Sequence, residues 1–371
     1  MAIRVFRSRR PRMLAPSRIL RQPPRQTGGG REREDLVEEA RRSISKGSKS
    51  FALASHLFDR GTKERAWLLY AWCRRCDDIA NARPERPAVP ASRRGREFDA
   101  EDSIKAIRVL TRRALDGQPT ADPAFDAFGQ VAQEAGLTMQ MADDVIEGFA
   151  LDATGWRPRS EADLLRYGYH FAGAPAVMLA RCMGVPADDS EMLDRACDLG
   201  LAIALDAIAR DAWSDNAEDF CYLPVEWLAE MDIPPGEHMK PVFREQLVEL
   251  VERVLDMARV YDAAGRWGVA ALPLRQRWPL LAAANFYAAI GEQVRERGAA
   301  AWDHRIGLPL HARLRLSARA FAEALRRPEE PAEWPQRTRG DILIAVRMAG
   351  PVAPIPMTPL PDEPMPDGEA E

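Results

Sequence analysis

Apolar residues recur at helical spacing along almost the whole chain, while alternating β-branched runs bounded by hairpin turns are nearly absent. That pattern restricts the fold to packed helices. It predicts helices near residues 35–58, 64–82, 101–116, 122–135, 137–153, 161–183, 189–215, 241–267, 276–298 and 312–327. Turn-forming breaks separate them, among them the proline-containing stretch from Arg83 to Arg94 and Pro234-Pro235-Gly236. No internal repeat of fixed period emerges. The reading is all-α: one helical domain over 35–327, built around a central cavity.

The two ends read differently. Residues 1–34 form an Arg-rich arm, with eight Arg and no acid in the first thirty positions. Residues 328–371 form a Pro-rich acidic tail; Pro351 to Glu371 alone hold seven Pro and five acids. Neither end has the periodicity of a packed element, so both are expected to be disordered. An Arg-rich, acid-free arm also resembles a transit peptide or an anionic-lipid ligand. Its two serines, Ser8 and Ser17, favour a plain solvated extension over a transit peptide.

With 46% hydrophobic residues over 371 positions, the chain has ample material for a large core. A net charge of -4 gives no footprint for nucleic acid. Five cysteines, an odd number, point to reduced thiols and a cytoplasmic setting. Cys73 and Cys76 lie mid-helix with no second pair and no nearby His, so buried thiols are expected rather than zinc ligands. No apolar run is long enough to span a membrane.

Two helix ends carry the chemistry. Tyr70, Arg74, Asp77 and Asn81 are spaced four, three and four apart and share one helix face, with Asp78 beside it. Hard carboxylate oxygens one turn apart suit Mg²⁺, and an Arg fork suits phosphate. The second end follows a strongly apolar stretch from Leu199, which predicts a central helix. Asp211 and Asp215 stand four apart there, with Arg210 adjacent. Acids ending a buried apolar helix are costly unless paired or bound to metal. Two such ends facing each other make a metal–diphosphate site.

At this point a resemblance enters. The stretches Gly47–Phe58, Leu69–Asp78, Glu147–Ala150, Tyr169–Gly173, Asp194–Ala202, Ile208–Asp211, Tyr222–Pro224 and Leu272–Arg275 are similar, in order, to the squalene/phytoene synthases, and most to bacterial phytoene synthases. The resemblance implies an isoprenoid-synthase-type bundle and a Mg²⁺- or Mn²⁺-dependent prenyltransferase. The implied reaction joins two geranylgeranyl diphosphates head to head, through a cyclopropyl diphosphate, into phytoene. It places Asp77, Asn81, Asp211 and Asp215 at the metal. Ser48, Lys49, Ser50, Arg74 and Arg210 fall near diphosphate, and Phe51, Tyr70, Tyr169 and Tyr222 in the substrate cavity. A lipophilic prenyl diphosphate implies work at a membrane surface without spanning it.

Several positions depart from the family pattern. Asn81 stands where Asp is usual, Ala204 and Ala207 where Gln and Asn are usual, Phe220 where Arg is usual, and Ala288 where Arg follows Tyr287. Asp206 is an added acid, expected to pair with Arg210 one turn on. Asp219 would substitute as a ligand if its helix continued that far. Pro175 and Pro279 fall inside expected helices, where kinks should follow. Two other readings therefore remain: an impaired paralogue that binds prenyl diphosphate or a pathway partner, and a synthase acting on farnesyl diphosphate.

Overall fold

The computed structural model describes residues 27–47, 55–81, 93–217 and 220–349. Every regular element among them is helical. The main helices are α1 (Arg33–Gly47), α2 (Arg60–Ala80), α3 (Arg93–Leu115), α4 (Pro123–Ala135), α5 (Met139–Ala153), α6 (Glu161–Gly168), α7 (Ala174–Cys182), α8 (Ser190–Ala217), α9 (Val225–Glu230), α10 (Arg244–Val269), α11 (Leu274–Arg297), α12 (Leu310–Ala324) and α13 (Arg339–Ala349).

Local chemistry sets several starts. Asp59, Asp122, Thr138 and Ser160 cap α2, α4, α5 and α6 by accepting backbone N–H groups. Pro123 opens α4, where its missing donor costs nothing. Gly136 closes α4 with φ +64°, a left-handed conformation that glycine adopts without strain.

α8 is the axle, as its apolar sequence predicts. Leu193, Cys197, Leu201, Leu205 and Ala209 are all buried along it. Close approach depends on glycines: a Cβ on Gly200 would lie 2.5 Å from the Ala172 carbonyl oxygen, and one on Gly265 would lie 2.8 Å from the Leu199 backbone. On the other side of the bundle, Trp72 of α2 is fully buried and stacks on Phe128 of α4, with centroids 4.3 Å apart. Its Nε1 donates to Thr111 Oγ1 at 3.2 Å. Dispersion and burial together make such a pair a stiff anchor.

The expected helix over 161–183 is interrupted. Tyr169–Gly173 forms a π-helical turn between α6 and α7. Pro175 sits in the first turn of α7, just after it. A residue inserted into the ladder lets the chain accept a proline that lacks an N–H, and such turns gather at functional sites. Pro279 is simply inside α11.

Packing continues beyond both ends of the 35–327 span. Thr27–Gly30 forms a 3₁₀ turn, and Arg31 donates to the buried carboxylate of Asp126 at 2.9 Å. Beyond residue 327, Trp334 lies under the Arg195 guanidinium, Tyr261 donates to the Arg337 carbonyl at 3.0 Å, and Arg339 pairs with Asp194 at 2.6 Å. These contacts dock α13, whose Ile342 is buried. No described helix is long and apolar enough to cross a membrane. All five cysteines are free thiols; Cys76, Cys182, Cys197 and Cys221 are buried and Cys73 partly so.

Candidate active site

Two adjoining cavities share Asp152, Tyr167 and Phe171 in their walls. The first, of about 400 Å³, is lined mainly by apolar groups: Leu69, Val145, Phe149, Ala176 and Leu179, with Tyr70, Arg74 and Asp77 along one side. The second, of about 440 Å³, brings Asn81 from the end of α2 together with Ala207, Asp211 and Asp215 from the end of α8. Phe220 and Tyr222 complete it. The two acidic helix ends therefore meet across one polar chamber that opens onto an apolar one.

The first end is internally bonded. Arg74 donates to Asp77 Oδ2 at 2.9 Å and to Asp78 Oδ1 at 2.6 Å. Asn81 Nδ2 donates to Asp77 Oδ1 at 2.7 Å, so both oxygens of Asp77 are held. At the second end, Arg210 Nε donates to Asp211 Oδ1 at 2.7 Å, and Nη2 makes a further bond to the same carboxylate. The Arg210 guanidinium sits 5.9 Å from the Tyr287 ring centroid and lines neither cavity.

The chamber walls are aromatic. Tyr167 and Tyr222 stack with centroids 4.2 Å apart, Phe171 lies 5.9 Å from Tyr167, and Phe220 lies 6.0 Å from Tyr222. Both tyrosine hydroxyls donate to Asp152, Tyr222 at 2.8 Å and Tyr167 at 3.3 Å. Burial pushes the Asp152 carboxyl up to about 6, against the lowering effect of those two bonds. Burial also raises the Tyr167 and Tyr222 hydroxyls, keeping them protonated donors. His170 is buried and neutral: its side chain is pushed down to about 4, and Nδ1 donates to the Asp144 carbonyl at 2.6 Å.

The structure brings Tyr70, Arg74, Asp77, Asn81, Ala207, Asp211, Asp215, Phe220 and Tyr222 to the two cavities. It separates others. Tyr169, expected in the cavity, points away from it; its hydroxyl donates to Asp144 at 2.7 Å and its ring packs near Gly173. Ala204 is fully buried against Gly168 rather than on a cavity wall. Ala288 lines a separate cavity among α10, α11 and α12. Asp206 does not pair with Arg210, which is taken by Asp211; it is buried against Gly291. Ser48, Lys49, Ser50, Phe51 and Asp219 lie outside the described residues.

Sequence reasoning missed Asp152, Tyr167, Phe171 and Phe149. The signal for Tyr167 was in plain view, two residues before Tyr169, but a regular 3.6-residue helix gives no reason to prefer it. The π turn changes the register at that point. For Asp152, the signal was its place four residues after Gly148 and seven after Val145, on the one face of α5 that lines the first cavity.

Asn81, Asp211 and Asp215 line the chamber, and Asp77, bonded to Asn81, stands at the adjoining cavity; these four oxygen-donor side chains are a set suited to a hard divalent cation. Among the described residues no three acidic, His or Cys groups converge closely enough to hold a metal by themselves. The set fits a cation that takes its remaining ligands from phosphate oxygens.

Helical layers around an aromatic-walled cavity, with acids at the ends of two facing helices, define an isoprenoid-synthase architecture. The chain belongs to the squalene/phytoene synthase family, whose model matches residues 44–320. It is 41% identical over 270 residues to a phytoene synthase of Pseudescherichia vulneris, covering 73% of this chain and 86% of the relative. It is 36% identical over 312 residues to the 15-cis-phytoene synthase of Pantoea ananas, covering 81% and 98%. Among solved structures, a dehydrosqualene synthase in complex with ligand superposes with a TM-score of 0.67 at 20% identity, covering 78% of this chain and 96% of the other. A squalene synthase from Alicyclobacillus acidocaldarius gives 0.61 at 19% identity, covering 72% and 95%.

Proposed function

We propose that this protein is a prenyltransferase that joins two molecules of geranylgeranyl diphosphate head to head, through a cyclopropyl diphosphate, to give phytoene. The observation that carries the reading is the union of the two acidic helix ends at one aromatic-walled chamber. Its 41% identity to a phytoene synthase supports the choice of substrate.

The residues divide the work by chemistry. Asp77, Asn81, Asp211 and Asp215 would hold Mg²⁺ or Mn²⁺ together with the diphosphate. A divalent cation bound there neutralises charge on the leaving diphosphate. Arg74 would move part of its guanidinium fork from Asp77 and Asp78 to phosphate oxygens, and Ser48, Lys49 and Ser50 belong to the same binding task. Arg210 holds Asp211 in place rather than facing the chamber.

Departure of diphosphate leaves an allylic cation. The faces of Tyr167, Phe171, Phe220 and Tyr222 offer negative π density to it without a nucleophile. The Tyr167 and Tyr222 hydroxyls are tied to Asp152, which fixes the attitude of those two rings. The apolar chamber formed by Leu69, Val145, Phe149, Ala176 and Leu179 takes the prenyl chains and excludes water that would quench the cation.

A second reading rests on Asn81 and Ala207, which remove a charge and an amide from the chamber: a paralogue that binds prenyl diphosphate with impaired turnover. One assay separates the two. The purified protein is incubated with geranylgeranyl diphosphate and Mg²⁺ or Mn²⁺, with farnesyl diphosphate in parallel, and extracts are analysed for phytoene, its farnesyl counterpart and free diphosphate. Phytoene establishes the proposed reaction. A product from farnesyl diphosphate alone reassigns the substrate. Neither product from a folded protein supports the impaired paralogue.

A further inference from the structure

α12 is held to the body along one arc. Ala312, Ser317, Ala320 and Ala324 are buried. Trp278 Nε1 donates to the Ser317 carbonyl at 2.8 Å, and Arg277 Nη1 to the Ala324 carbonyl at 2.8 Å. The remaining arc carries an exposed apolar stripe: Leu310 (66% exposed), Leu314 (54%), Phe321 (39%, its ring edge-on against Trp278) and, at the cap, Leu325 (63%). At 100° per residue these four fall within about 60° of one another.

About a third of a turn further round stand Arg315, Arg319 and Arg326, with Arg327 beside them. They edge a polar cavity of about 770 Å³ between α10, α11 and α12. Deeper arginines there are neutralised: Arg259 by Glu292 at 2.5 Å, and Arg266 by Asp262 at 2.6 Å. Arg319 pairs with Glu323 at 2.8 Å. Among the described residues, Arg315, Arg326 and Arg327 have no acidic partner. From Leu310 to Pro328 there are five arginines and one acid, Glu323.

A row of large exposed apolar side chains on one helix marks an interaction surface. Bordered by unpaired cations, it has the design of a helix that lies in a membrane interface, its apolar side at the acyl boundary and its cations on anionic headgroups. A second copy of the chain fits this face poorly, because a two-fold contact would set the same arginine row against itself.

We propose that α12 docks the protein on an anionic lipid bilayer. Leu310, Leu314, Phe321 and Leu325 enter the interface, and Arg315, Arg319, Arg326 and Arg327 meet lipid phosphates. The inference stands on this surface alone and is independent of the catalytic reading.

The full chain is tested by co-sedimentation with vesicles of phosphatidylcholine alone and of phosphatidylcholine mixed with phosphatidylglycerol. The wild type binds the anionic vesicles more tightly. Joint substitution Leu314→Glu and Leu325→Glu lowers that affinity about ten-fold or more. Joint substitution Arg315→Gln and Arg326→Gln lowers it by a similar factor, more so at low salt. Circular dichroism melts confirm that both variants remain folded, as surface changes should. Wild-type indifference to both vesicles overturns the proposal. So does unchanged affinity in the leucine variant, which would assign binding to the Arg-rich residues 1–34. A leucine variant that dissociates a dimer while leaving vesicle affinity intact makes α12 a contact between copies, and the proposal falls.

Discussion

The Tyr222 hydroxyl donates to Asp152 Oδ1 at 2.8 Å, tying the segment after α8 to the end of α5 across the seam between the two cavities. Tyr167 donates to the other oxygen, and the two rings stack above it. One carboxylate thus fixes the attitude of two aromatic faces. Asp152→Ala should free both rings and lower kcat by about 100-fold, the order of loss seen when reacting groups are misplaced by an ångström. Tyr222→Phe keeps the ring but loses the tether, and should fall between wild type and Asp152→Ala. Steady-state kinetics on the diphosphate release step measures both. Equal activity in all three proteins would remove Asp152 from the site.

Asn81 suggests a second test. Its amide donates to Asp77 at 2.7 Å, so the pair needs no cation to be stable. Asn81→Asp replaces that donor with a second carboxylate at the same distance. Like charges so close repel unless a cation or a proton intervenes. Without Mg²⁺ the variant should melt several degrees below wild type; with Mg²⁺ and inorganic diphosphate it should recover more than wild type does. Thermal melts with and without Mg²⁺ give the comparison. Identical Mg²⁺ responses would place Asn81 outside any metal-binding role.

How far the sequence revealed this site follows from the physics of each element. The two acidic ends were legible because four-residue spacing on a regular helix fixes a shared face, and α2 and α8 are regular there. α8 was legible as central because its stretch Leu199–Leu205 carries no polar side chain. Tyr169 was placed in the cavity by the resemblance alone; the π turn at Tyr169–Gly173 sets its hydroxyl on Asp144, and Tyr167 and Phe171 line the cavities instead. α13 escaped because its neighbourhood is rich in proline and charge, and it docks through Trp334 and Arg339, not through a broad apolar face. The fate of Asp206 was set by α11, remote in sequence, whose Gly291 makes room for it.

Gly200 supports a packing prediction. A Cβ there would fall 2.5 Å from the Ala172 carbonyl oxygen, and backbone cannot swing aside as a long side chain does. Gly200→Ala must push α8 away from the π turn that carries Phe171 and follows Tyr167. Overpacking of this kind costs about 1–3 kcal/mol. The gain in helix propensity, about 1 kcal/mol, offsets only part of that. Denaturant unfolding should show lower stability, and KM for the prenyl diphosphate should rise as the aromatic wall shifts. A more stable variant would show that the two helices have slack.

Asp206 sets a pH dependence of stability. It is buried against Gly291, with Asp262, Glu292, Arg259 and Arg266 as its charged surroundings. Burial raises its carboxyl to about 7, the two acids add to the rise, and the two arginines oppose it. In the unfolded chain the same group titrates near 3.9. Between those values the folded protein holds a proton that the unfolded chain has lost. The favourable contribution is therefore complete below about pH 4 and disappears as pH rises through 7. Three pH units correspond to about 4 kcal/mol at most, and solvent near the polar cavity will reduce it. Asp206→Asn removes the charge while keeping the shape, so it should stabilise the protein by about 1–3 kcal/mol at pH 8 and change little at pH 4. Asp198, buried beside Arg195 and also raised to about 7, leaves a residual slope of the same sign in the variant. Chemical denaturation of both proteins across this range measures the difference directly. A gap that is constant with pH would mean that Asp206 is ionised alike in the folded and unfolded states.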